Sequence, residues 1–119
     1  MKLKINTDQL QVLAMFTNQT NEYLKLEIDK FMFRKKNFDL ITLRVHQSEM
    51  EIFNTKLEIL KIKKAVTNRS KLFTISISPI QSLLIITYVE WFKDRNINPF
   101  TKHAINQQKD AIYKELLTQ

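Results

Sequence analysis

None of the 119 residues is glycine, and that absence limits the backbone more than any motif present in the chain. Glycine reaches positive φ in tight turns and helix C-caps at no steric cost, and it lets a backbone approach a ligand closely. At the average usage of about 7%, a chain of this length would hold roughly eight. Without it, Gly-rich phosphate loops, dinucleotide fingerprints and nucleophile elbows cannot be built in their usual form. Turns and helix ends must rely on the nine Asn residues or on other side chains. Cysteine is also missing, which removes disulfides, thiol nucleophiles and cysteine metal sites.

Within this restricted alphabet, short alternating runs pass directly into helical spacing. Over residues 72–84 the apolar positions alternate as far as Ile77 and follow helical periodicity after Pro79. Ser78 is a good N-cap, Pro79 suits the first helical position, and Gln81 can complete a capping box. The same plan stands near the start of the chain: Leu3 and Ile5 alternate, Asn6 caps, and Gln9 lies three residues on. A third copy reads from Ile41, Leu43 and Val45, with His46 and Glu49 in the cap positions. Ser48 and Glu51 offer a second start two residues later. Six and seven residues past the caps lie Val12 and Leu13, Ile52 and Phe53, and Leu84 and Ile85. Three strand-to-helix units are therefore expected, against the alternative that residues 38–66 form one long helix.

The remaining segments read as helices. Residues 21–35 place Leu24, Ile28, Phe31 and Met32 on one face, with Lys25 and Asp29 outside. In the last segment Asn98 caps, Pro99 begins the helix, and Ile105, Ile112 and Leu116 form its stripe. Linkers near Asn37, at 68–70 and at 96–98 are short, so residues 1–119 are expected to make a single domain. The expected fold class is α+β: helix-dominated, with a small sheet of about three strands, each short strand followed by a helix, and a C-terminal helix. Single helical crossovers between neighbouring strands would make their pairing parallel.

Catalytic chemistry finds little to work with. His46 and His103 are far apart in sequence, and Glu49 alone stands at metal-ligand spacing from either. His46 is expected to cap or to face the surface, and His103 to face solvent. Glu90 and Asp94 share a helix face, where Lys93 and Arg95 explain them structurally. The expectation is a protein that is not an enzyme, with no cofactor, metal or evident small-molecule substrate. Met1 to Lys4 runs straight into Asn6, Thr7 and Asp8 without the apolar core of a signal peptide, which points to a cytoplasmic protein. Residues 72–89 carry no charge, yet seven of them are Thr, Ser, Pro or Gln, so no membrane span is expected.

Charge distribution carries more. Of the net charge of +7, Lys30, Arg34, Lys35 and Lys36 give segment 30–36 a charge of +4. Lys56, Lys61, Lys63, Lys64, Arg69 and Lys71, against Glu58, give segment 56–71 a charge of +5. Each segment is a helix end before an expected strand, and parallel strands would bring both to one sheet edge. The patch of about nine cations so formed would meet nucleic-acid phosphates, without sequence preference, or an acidic protein surface. Lysine at helix C-termini and on solvated faces accounts for the same residues without any partner. Trp91 and Phe92 are a second candidate surface, for a homo-oligomer or for docking into a larger complex, unless they complete the core. Fifteen Lys and fourteen Ile beside four Arg fit an AT-rich coding sequence. A structural or assembly protein of a phage or mobile element is the alternative to a basic binding module.

Overall fold

The computed structural model describes residues 1–34, 37–66, 68, 70–96 and 98–117, and among these the side chains of all but 31–34 and 37–39. The chain runs β1 (Lys2–Ile5), α1 (Thr7–Arg34), α2 (Asn37–Lys63), β2 (Phe73–Ser76), α3 (Pro79–Arg95) and α4 (Pro99–Leu117). It is helix-dominated, with a small two-stranded antiparallel sheet.

Three of the four helix starts are set by the caps read from sequence. At α1, Asn6 Oδ1 accepts from the Gln9 N–H at 2.8 Å and Gln9 Oε1 accepts from the Asn6 N–H at 2.9 Å. At α3, Ser78 and Gln81 exchange the same reciprocal pair at 3.2 and 3.0 Å. At α4, Asn98 Oδ1 accepts from the Phe100 N–H at 2.9 Å, with Pro99 between them. Each bond satisfies an N–H that the first helical turn leaves without a backbone acceptor.

The third expected unit does not exist. Residues 41–45 lie inside α2, so the long-helix alternative is the one realised, and the His46–Glu49 and Ser48–Glu51 boxes are helix interior. Nothing between Asn37 and Lys63 breaks a helix: there is no proline or glycine, and propagation adds one hydrogen bond per residue once a turn exists. Leu43 faces the core while Ile41 and Val45 face outward, so an alternation that reads as a strand also reads as two faces of a helix. Similarly, residues 21–35 do not start a new helix, because α1 is continuous. Polar residues midway along α1 form an interhelical seam. Buried Thr17 donates to Asn54 Oδ1 at 2.8 Å, and Gln47 donates to buried Asn21 at 3.2 Å. Leu24 is buried there, while the side chains of Phe31 and Met32 lie outside the described residues.

Losing the middle strand also reverses the sheet. A single helix between two strands returns the chain for parallel pairing, whereas the antiparallel α1–α2 hairpin brings it back to the end of β1 that it left. β2 therefore begins opposite the last residue of β1, with Phe73 against Ile5 and Ser76 against Lys2. The expected parallel pairing is replaced by an antiparallel one. Leu3, Ile5 and Ile75 of the sheet, with Ile77 just past β2, share one buried core with Leu13 and Phe16 of α1, Phe53 and Leu57 of α2, Leu84 and Phe92 of α3, and Ile105 of α4. The α4 stripe holds at Ile105 and Ile112, but Leu116 is exposed near the helix end.

Candidate functional site

The two basic segments sit at opposite ends of α2. Lys30 is exposed near the end of α1, paired with Glu27 at 3.3 Å, and Arg34 is the last residue of that helix. Lys61 and Lys63 occupy the last turn of α2, Lys64 follows it, and Lys71 lies exposed before β2. Lys35, Lys36 and Arg69 lie outside the described residues. A helix of 27 residues is about 40 Å long at 1.5 Å per residue, several Debye lengths at physiological salt. Among the described residues, Lys30 and Arg34 are therefore not joined with Lys61, Lys63, Lys64 and Lys71 into one patch within one chain. The joined patch depended on a parallel sheet and a middle strand, and neither is present.

At the second end two of the lysines, Lys61 and Lys64, have local partners. Lys61 pairs with Glu58 at 3.5 Å, and the Lys64 ammonium lies 4.9 Å from the centroid of the Phe73 ring. Lys61 and Lys64 also line a shallow depression with Thr7, Gln11 and Ala65, where the start of α1 meets the end of α2.

Trp91 and Phe92 separate. Phe92 is 0% exposed and meets Phe16 edge-on at 5.4 Å, so it belongs to the core and not to a surface for a partner. Trp91 is half-buried, its ring 4.5 Å from Tyr23 and the Arg95 guanidinium 5.2 Å from its centroid. It borders an open groove with Met15, Tyr23, Leu26, Lys30 and Arg95.

His46 is neither a cap nor a surface residue. Its Nδ1 stands 2.7 Å from the Tyr88 hydroxyl, tying α2 to α3 from a half-buried position. Burial holds the imidazole below its ordinary pKa, and burial, with a lesser effect of Tyr23, pushes the Tyr88 phenol up to about 12. Both groups are thus held neutral, as a structural hydrogen bond requires. His103 is exposed on α4, as expected. Glu90 is paired with Lys93 at 3.4 Å and with Lys109 at 3.7 Å, while Arg95 turns to Trp91 instead. Among the described residues no group of three or more His, Asp or Glu is placed to hold a metal ion. None of the helices described is long and apolar enough to cross a membrane.

The surface that sequence reading missed is the outer side of α2. This helix buries Met50, Phe53 and Leu57 against the core, yet it carries a second apolar stripe on its opposite side. Ile41 is 62% exposed, Ile52 57% and Ile62 79%, with Val45 and Ile59 exposed between them. Exposed Ser48 and Thr55 complete the stripe, and Ile41, Arg44, Val45, Ser48 and Glu49 line a depression along it. The signal was legible: Val45, Ile52 and Ile59 recur every seven residues. Assigning residues 41–45 to a strand cut that repeat in two. Searched against protein-family models, curated proteins and solved structures, the chain matches none of them.

Proposed function

We propose that this is a non-catalytic assembly protein that associates with copies of itself through the outer face of α2. The observation behind the proposal is the exposed apolar stripe from Ile41 to Ile62 on a helix whose other side is already packed. A helix of a monomer needs only one apolar face, and a second row of large apolar side chains left in water points to an interaction site.

The magnitudes favour a modest affinity. Full burial of a Val or Ile side chain is worth about 1.5–3 kcal/mol, so covering these half-exposed groups returns roughly 1 kcal/mol each. Ten such side chains across a symmetric pair give on the order of 10 kcal/mol, against an association cost of at least about 4 kcal/mol. The remaining ~6 kcal/mol corresponds to a Kd on the order of tens of micromolar.

The basic binding module is the weaker reading of this fold, because it relied on a single patch and α2 holds its two halves apart. Sedimentation of the protein from about 5 to about 500 µM tests the assembly reading. The mass is expected to rise from the 14.2 kDa monomer toward twice that value. An I52K/I59K variant with an unchanged circular-dichroism spectrum should stay monomeric. A wild-type protein that remains at the monomer mass throughout would overturn the proposal.

A further inference from the structure

We infer that two copies pair through α2 in parallel and in register, an inference that rests on the self-association proposed above. Label the heptad so that Val45, Ile52 and Ile59 are a, and Ile41, Ser48, Thr55 and Ile62 are d. Both sets lie on the outer face, and the core-facing residues Met50, Phe53 and Leu57 fall at b and f, on the far side of the helix. Pairing along the a–d seam therefore leaves the core of each protomer untouched. The helix is already held by its own core, so a seam of about three heptads need not also stabilise the helix itself.

The flanking charges choose the direction. Arg44, Glu51 and Glu58 stand at g, and Glu49, Lys56 and Lys63 at e. In a parallel pair each g residue meets the e residue five positions further along the second copy. The meetings are Arg44 with Glu49, Glu51 with Lys56, and Glu58 with Lys63, all of opposite sign and each made twice. An antiparallel pair sets e beside e and g beside g. With Ser48 against Ile59 it gains Glu49 with Lys56 but places Glu51 against Glu58, a repulsion also made twice; with Ser48 against Ile52 it gains Arg44 with Glu58 but sets Glu49 against Glu49 and Glu51 against Glu51.

Local bonds are compatible with this arrangement. Lys56 donates to the Ser76 carbonyl, and its ammonium has two further N–H groups for a carboxylate. The hydroxyl of Thr55 is already satisfied by the Glu51 carbonyl at 3.0 Å, so it enters the seam without an orphaned donor. The depression lined by Ile41, Arg44, Val45, Ser48 and Glu49 offers a hole for a side chain of the second copy.

The chain has no cysteine, so one introduced thiol reports one position. In the parallel register Ser48 faces Ser48, and S48C should form a disulfide across the seam in a glutathione redox buffer. The crosslinked fraction is expected to exceed by at least tenfold that of E22C, an exposed site on α1 away from the seam. In the antiparallel register that sets Val45 against Ile62 and Ile52 against Thr55, Ser48 faces Ile59. The two S48C thiols would then be eleven residues, about 16 Å, apart, too far for a disulfide. An equimolar mixture of S48C and I59C would crosslink instead. A protein that dimerises in sedimentation but crosslinks only in that mixture overturns the parallel arrangement and leaves self-association standing. A monomer at every concentration overturns both. As a second readout, E51K/E58K sets Lys against Lys in the parallel pair and should weaken self-association tenfold or more. An unchanged Kd for that variant would also refute the parallel register.

Discussion

Phe53 and Ile52 are neighbours on α2 that face opposite ways, and truncating each in turn measures the two-sidedness of the helix directly. Phe53 is 0% exposed beside Leu57 and Met50. Phe53→Ala removes a fully buried ring and leaves a cavity, at a cost of about 3–5 kcal/mol. That is a large share of the ~5–15 kcal/mol that stabilises a typical domain. Ile52 keeps more than half its surface in water, so truncation forfeits less than about 1 kcal/mol of transfer energy. Alanine returns roughly 0.4 kcal/mol of helix propensity, and the net change should be within about 0.5 kcal/mol. Urea unfolding followed by circular dichroism at ~2 µM, below the expected dissociation constant, reads the monomer. With a slope near 2 kcal/mol/M, Phe53→Ala should lower the midpoint by about 2 M and Ile52→Ala by a few tenths at most. Repeated at ~200 µM, the wild type should gain on the order of 1 kcal/mol from mass action, and Ile52→Ala should lose most of that gain. Equal costs at low concentration would refute the assignment of faces. Wild-type stability independent of concentration would refute the claim that the outer face becomes covered.

Other outcomes follow from the caps, the His46–Tyr88 bond and the divided charge. Asn6→Ala and Ser78→Ala should each cost about 1 kcal/mol in thermal unfolding, because each removes an acceptor from a capping box, while Ser48→Ala inside α2 should cost nothing comparable. Because burial lowers the folded pKa of His46, the unfolded chain binds more protons as pH falls below about 6.5, so the stability that comes from burying the neutral imidazole is present above that pH and lost as pH falls below it. His46→Gln should reduce the difference in urea midpoint between pH 8 and pH 5. At the alkaline end the raised Tyr88 pKa acts in the opposite sense, and stability should fall between about pH 10 and about 12, less so in Tyr88→Phe. A parallel pair would bring two copies of segment 56–71 to one end of the dimer. Anisotropy of labelled DNA at ~50 mM salt should therefore show weak binding that falls steeply by ~200 mM and is reduced in I52K/I59K. Binding unaffected by that variant would locate any polyanion affinity in the single chain.

Local chemistry in this sequence was readable, and long-range pairing was not. Asn6 with Gln9, Ser78 with Gln81, and Asn98 with Pro99 mark helix starts because a cap is a contact within three residues, present in the sequence and in the fold alike. Residues 41–49 carried equally good signals for a boundary that does not exist. Whether Ser48 caps a helix or sits inside one depends on what residues 41–45 do, and those are held helical by Leu43 packing on a core assembled from distant parts of the chain. Nothing local in the sequence shows that Thr17 and Asn21 meet Asn54 and Gln47 across the helical hairpin. The cations were identified as two groups from sequence, but their separation follows from the length of α2, which the middle strand would have cut short.

The sheet also sets a timetable for the nascent chain. β1 pairs with residues that are synthesised some seventy positions later. At about 5–20 residues per second, Leu3 and Ile5 wait on the order of 4–14 s for Ile75 and Phe73 to emerge. Helices form in microseconds or less, so the α1–α2 hairpin can be in place before its strand has a mate. During that interval β1 is a short apolar strand with open edges, the kind of segment that seeks the wrong neighbour. Lys2 and Lys4 alternate with Leu3 and Ile5 along it and remain exposed in the finished sheet. Charges placed in this way discourage mispairing of a strand whose edge is still open.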